Sequence, residues 1–165
     1  GLVVRDAVLS DPLSAQGLVL VASGPAALPD DQQRVLRMFA QVLRTQGLAA
    51  VWRAKRALEE AASAPQAPAE IDAFLTARFL AHAPASLLAM IEVLTDGEDR
   101  VDALASVAPP SVVVVGGEDD AWPIPEQQAM AERIGARLVM LPEAGHSPAV
   151  DDPEATADAI ASLLP

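Results

Sequence analysis

The 165 residues, 52% hydrophobic and 21% charged, have the length and composition of one globular domain able to bury about two-thirds of its unfolded surface, which excludes a disordered chain. A net charge of −12 with a single lysine, Lys55, argues against nucleic acid and anionic membranes as partners, since both select basic patches. Cysteine is absent, which excludes a disulfide framework and thiolate metal sites, and no apolar run is long enough to span a membrane.

The first residues, Gly1-Leu-Val-Val, carry no basic region ahead of an apolar core and do not read as a signal peptide, so a cytoplasmic location is expected. They enter a helix at once, with Leu2, Val3, Asp6-Ala7 and Leu9 on one face until Asp11-Pro12 ends it. The missing initial Met suggests a fragment. Gly17 to Ala22 is a short continuous apolar run closed by Ser-Gly-Pro, the profile of a strand buried on both faces. From Asp30 to Leu104 the period changes to a helical one. Leu36, Phe39 and Leu43 recur up to Gly47; Val51, Leu58 and Ala62 follow, then a linker from Ser63 to Pro68. Ile71, Phe74, Leu75 and Phe79 form another stripe, and Leu87, Leu88, Ile91 and Leu94 a fourth after Pro84. The aromatic residues of these four helices read as packing. Asp96 to Asp99 reads as a solvated turn.

A second apolar run, Ser111 to Val115, follows Pro109-Pro110 and is closed by Gly116-Gly117. A helix from Pro125-Glu126 to Ile134 ends at Gly135, where a left-handed residue is wanted. Arg137 to Leu141 is the third strand. Asp152-Pro153 starts a final helix with Ala157, Ile160, Ala161 and Leu164 on its apolar side. Strand and helix alternating in this way predict an α/β fold, a parallel sheet of about three strands with flanking helices and an inserted all-helical segment. The divisions expected are residues 1–29 and 105–165 for the sheet portion and 30–104 for the insertion.

In a parallel sheet the loops after the strands' carboxyl ends share one side, and ligands bind there. The second strand leads into Glu118-Asp119-Asp120-Ala121-Trp122-Pro123; the third leads into Ala144-Gly145-His146-Ser147-Pro148. His146, one of two histidines, reads either as a surface-loop residue or as a general base. An aspartate on one imidazole nitrogen fixes the tautomer and stabilises imidazolium, freeing the other nitrogen to accept a proton. Asp119 and Asp120 are both candidates for that acid. Trp122 either packs under the loop or contacts substrate, and His82 reads as structural. A third reading, a Mg²⁺ site at Glu118, Asp119 and Asp120, leaves the histidine loop unexplained; no metal and no cofactor is expected.

These motifs resemble the C-terminal part of an α/β-hydrolase of the esterase, haloperoxidase-like and proline iminopeptidase-like group. The family's acid loop, roughly G-x-x-D-x-x-x-P, is matched by Gly116 to Asp119 with Pro123. Its histidine loop, A-G-H-S-P and then P-E, is matched by Ala144 to Pro148 and Pro153-Glu154. The resemblance favours Asp119 as the acid and implies that the inserted helices form the family's cap. It implies a serine hydrolase acting on an ester, amide or related bond. The apolar inserted helices suggest a modest apolar substrate, although a face buried on the sheet gives the same pattern. The nucleophile elbow G-x-S-x-G does not occur, and Ser23 lacks the flanking glycines. Gly1-Leu-Val-Val resembles the residues just after such an elbow, which puts the serine upstream of residue 1. Two functions follow: part of a serine hydrolase, or a truncated scaffold that binds a partner without catalysis. With the elbow strand missing, Leu18 to Val21 has an open edge, so a homodimer or association with the missing strands is expected.

Overall fold

The structure, a computed structural model, describes residues 1–63 and 67–163. Ala64, Pro65 and Gln66 of the linker and Leu164 of the last stripe lie outside the described residues. The chain divides into two compact units, Gly1–Pro29 with Asp96–Pro165, and Asp30–Thr95. The first begins with α1 (Leu2–Ser10), a 3₁₀ turn over Pro12–Ser14 and β1 (Leu18–Val21). The second supplies α2 (Asp30–Gln46), α3 (Leu48–Ala61), α4 (Ala69–Leu80) and α5 (Pro84–Asp96). The chain then returns to the first unit through α6 (Val101–Ala105), β2 (Ser111–Gly116), α7 (Ile124–Ile134), β3 (Arg137–Leu141), α8 (Pro148–Asp151) and α9 (Pro153–Ala161).

The three strands form one parallel sheet in the order β1-β2-β3. Ser111 lies opposite Leu18 on one side of β2, and Gly116 lies opposite Leu141 on the other. The centre of β2 is four valines, none more than 1% exposed. Val113 and Val115 face a cluster with Val8, Leu104, Met130 and Ile134. Val112 and Val114 face another with Leu141, Ala144 and Ala159. A strand covered on both faces needs apolar residues at every position, so its sequence is continuous rather than alternating. Each such side chain contributes about 1.5–3 kcal/mol when fully buried.

The faces of two helices differ from those the periodicity suggests. In α1 the buried residues are Leu2, Arg5 and Val8, while Val3 is exposed. The guanidinium of Arg5 is buried because it donates to the Pro25 carbonyl, so an arginine occupies the stripe that an apolar count assigns elsewhere. In α9 Thr156 and Ala159 are buried, and Ala157 and Ile160 are not. The helix begins where the Asp152 carboxylate accepts the Ala155 N–H at 3.0 Å as an N-cap. Small Ala159 then faces Val112 and Val114. α7 ends as expected, with Gly135 at φ +67°.

The return to the first unit comes at Asp96, ahead of the expected boundary after residue 104. Val101 and Leu104 of α6 are fully buried in the sheet's core cluster, so this short helix belongs with the sheet. Arg133 on α7 secures it, pairing with Asp99 at 2.7 Å and Asp102 at 3.0 Å.

In the second unit Gly47, at φ +80°, starts α3 directly after α2. The Trp52 and Phe79 rings lie 5.0 Å apart, and Arg56 pairs with Asp72 at 3.0 Å. His82 Nδ1 lies 2.9 Å from the Arg78 carbonyl, closing the end of α4 as a structural histidine can. Phe74, by contrast, is 61% exposed and is not packed as the stripe suggested. Among the described residues no single helix is long and apolar enough to cross a membrane.

Candidate active site

Adjacent parallel strands deliver their following loops to the same side, and here the two loops touch backbone to backbone. The Gly117 N–H donates to the Leu141 carbonyl at 2.8 Å, and the Glu118 N–H to the Ala144 carbonyl at 2.9 Å. Only glycine permits this approach: a Cβ on Gly116 would lie 2.1 Å from the Gly145 carbonyl oxygen, and one on Gly117 2.4 Å from that of Pro142. Both obstacles are backbone, which cannot swing aside. The Gly-Gly pair that closes β2 therefore sets the distance between the acid loop and the histidine loop.

Beyond that crossing Asp119 turns inward. Its Oδ1 accepts the N–H of Ala121 at 2.9 Å and of Trp122 at 3.3 Å, the local pattern by which an aspartate folds its own turn. Oδ2 accepts the side-chain amide of Gln127 at 2.9 Å. The imidazole of His146 reaches Oδ1 through Nδ1 at 3.0 Å. The Asp119 side chain is 0% exposed and that of His146 45% exposed, so one partner is dry and the other faces solvent. Burial pushes the Asp119 carboxyl up, but the donors on Ala121, Gln127 and Trp122 and the His146 ring outweigh it, and the group titrates below its ordinary value. A buried carboxylate in this position can accept a hydrogen bond from Nδ1–H, the tautomer that leaves Nε2 open to accept a proton.

Of the candidates read from the sequence, the structure brings together Asp119 and His146. Asp120 is exposed on the same loop, and the imidazole contact is made by its neighbour. Trp122 is buried, its ring so close to Gly24 that a Cβ there would lie 2.0 Å from it. It packs, and its backbone N–H serves Asp119. Ser23 is buried beside Gly1. Glu118 is exposed, and among the described residues no three His, Asp or Glu side chains converge as a metal ion requires.

Two residues of the arrangement escaped the sequence reading. Asp151, in α8, accepts the Gly145 N–H at 2.9 Å and holds the histidine loop from below. Gln127, in α7, holds the far oxygen of Asp119. A polar residue eight positions past an aspartate has no motif of its own; the only signal was a glutamine falling on the inner face of α7 between Ile124 and Met130.

Comparison with known proteins bears on the family and the fold. The family described as "Alpha/beta hydrolase family" matches residues 1–159. No curated protein matches the sequence significantly. Among solved structures, the chain is similar to a thermophilic esterase from Thermogutta terrifontis, with 23% identity and a TM-score of 0.76 over 99% of this chain and 60% of that one. It is also similar to a hydrolase from Pseudomonas aeruginosa PA01, with 25% identity and a TM-score of 0.76 over 99% and 61% of the two chains. A third is an enol-lactonase from Burkholderia xenovorans LB400, with 17% identity and a TM-score of 0.74 over 97% and 60%. The chain thus spans about three-fifths of the length of the solved structures it resembles.

Proposed function

We propose, from the premise that this chain belongs to the alpha/beta hydrolase family, that it carries the acid and the base of a serine hydrolase. Asp119 is the orienting acid and His146 the general base. The nucleophilic serine comes from polypeptide outside these 165 residues, in keeping with the absence of G-x-S-x-G and the likeness of Gly1-Leu-Val-Val to a post-elbow sequence. The observation that carries this reading is the 3.0 Å contact from a buried Asp119 to His146 Nδ1. Nε2 takes the serine proton as the hydroxyl oxygen bonds to the acyl carbon. Asp119 stabilises the imidazolium so formed, which returns the proton to the leaving group. Water then repeats the cycle and frees the acid. The esterase and enol-lactonase among the structural neighbours support a carboxylic ester or lactone as substrate. We read residues 30–95 as the family's cap, the part that selects among such substrates and favours small, apolar ones.

The outer edge of β1 is assigned to a further strand. Leu18 and Ala22 donate to carbonyls on the β2 side, at Pro110 and Val114, so the polar groups of Val19 and Val21 point the other way. A strand from the missing part of the protein, or from a second copy, is the occupant in this reading.

The test is hydrolysis of short-chain p-nitrophenyl esters by a polypeptide extended upstream of Gly1. Turnover and stoichiometric fluorophosphonate labelling of an upstream serine are expected there, and neither in residues 1–165 alone. Labelling at Ser23 or Ser147 would overturn the assignment. An inert extended protein would leave a non-catalytic scaffold.

A further inference from the structure

We infer that Gln127 is the positioning residue of the Asp119–His146 pair, its amide holding the carboxylate in the rotation that presents Oδ1 to the imidazole. This rests on the acid–base reading above. Gln127 is 0% exposed. Its Nε2 donates to Asp119 Oδ2 at 2.9 Å and to the Trp122 carbonyl at 3.1 Å. The reverse amide orientation would set Oε1 against two acceptors, so the geometry allows one assignment.

The other end of the amide identifies what it is for. Oε1 is buried with no hydrogen-bond partner among the described residues. A buried carbonyl without a partner costs stability, and a methionine of similar size would fill the same space without that cost. The amide is thus unfavourable at one end and committed at the other to Asp119 and the turn around it.

Without that donor, Asp119 would have three donors on Oδ1, from Ala121, Trp122 and His146, and, among the described residues, none on Oδ2. The terminal torsion of an aspartate is soft, so the carboxylate would turn to share its donors between both oxygens. The imidazole would lose its fixed partner and with it the preference for the Nδ1–H tautomer. The same amide binds the Trp122 carbonyl, and so fixes the loop as well as the carboxylate.

The experiment is ¹⁵N–¹H NMR of the imidazole nitrogens in the 165-residue chain, which requires no turnover. His82 also has Nδ1 against a carbonyl, so His82→Gln assigns the two rings. The wild type is expected to show a slowly exchanging Nδ1 proton on His146. Asp119→Asn and Gln127→Met should both lose it while melting cooperatively. If Gln127→Met keeps the signal that Asp119→Asn loses, Gln127 only fills space; this inference falls and the acid–base reading stands. If Asp119→Asn also keeps it, the pair does not form in solution and both fall.

Should Gln127→Met fail to fold, the isosteric Gln127→Glu decides. Its carboxyl, buried against Asp119, can donate only while protonated. Glu118 and Asp120 on the acid loop and Asp151 under Gly145 add negative charge nearby, favouring the protonated form. The His146 signal should persist at low pH and vanish as the introduced carboxyl ionises. A signal indifferent to that ionisation overturns the inference.

Discussion

The sheet unit and the helical unit solve the burial problem in different ways. In the sheet unit β2 is dry on both faces, and even a five-residue helix, α6, has two side chains, Val101 and Leu104, fully covered. In the helical unit α4 has no buried residue and α5 only Thr95; Ile71, Phe74 and Met90 are exposed. The charges divide as well. Acids and bases balance over residues 30–95, so the net charge of −12 belongs to the sheet unit. The sheet unit holds a fixed geometry at its strand ends. Among the described residues the helical unit buries apolar side chains only on α2 and α3, so α4 and α5 meet the condition for low local stability.

That contrast can be tested in descending order of effect. The largest is catalytic. In an upstream-extended polypeptide with turnover, His146→Ala should lower kcat by about 10⁶-fold and Asp119→Asn by about 10⁴-fold, and Asp120→Asn should change it far less. A crippling Asp120→Asn would move the acid by one residue. The second is thermodynamic. Leu104→Ala, at a fully buried position of α6, should destabilise the chain by about 2–5 kcal/mol. Phe74→Ala, on an exposed face of α4, should stay within about 0.5 kcal/mol. Urea unfolding followed by circular dichroism separates them, and equal losses would mean that α4 is packed in solution.

Third, light scattering after size exclusion should give a mass above the 17.1 kDa of one chain, because the edge of β1 is available for pairing. A cooperatively melting monomer would show that edge to be protected. The smallest effect is acid sensitivity. Asp119 titrates below its ordinary value for the reasons given above, and Asp99 does so through its hydrogen bond from Arg133. A carboxyl with a depressed folded pKa stabilises fully above its unfolded value, near 3.9, and loses that contribution as pH falls through the folded value. Stability should therefore decline below about pH 4, and Asp99→Asn should flatten the decline slightly, since Asp99 is solvent-exposed. A pH profile unchanged in that variant would remove the ion pair from the account.

Much of this was legible in the sequence because it depends on chain-local rules. Four consecutive valines between Pro-Pro and Gly-Gly admit little except a doubly covered strand. Ala-Gly-His-Ser-Pro after a third strand placed the histidine at the right end of the sheet. Helix phase was harder, because it depends on particular tertiary partners. Arg5 is inside because of one carbonyl on Pro25, and Ala159 of α9 is inside because it packs with Val112 and Val114. Gln127 carried only the weak signal of its place on the inner face of α7, because a polar residue in an amphipathic helix reads as solvent-facing until its partner is known. Asp96 to Asp99 read as a solvated turn, yet Asp99 also anchors α6 through Arg133.

The crossing of the two loops at Gly116 and Gly117 has a mechanical consequence. Main-chain bonds from Gly117 and Glu118 to Leu141 and Ala144 make the acid loop and the histidine loop a single body during thermal fluctuation. When the sheet flexes, Asp119 and His146 are carried together, and their separation is decoupled from breathing elsewhere in the chain. Backbone order parameters of residues 116–119 and 144–146 should accordingly rise and fall in step with temperature, whatever the helical unit does.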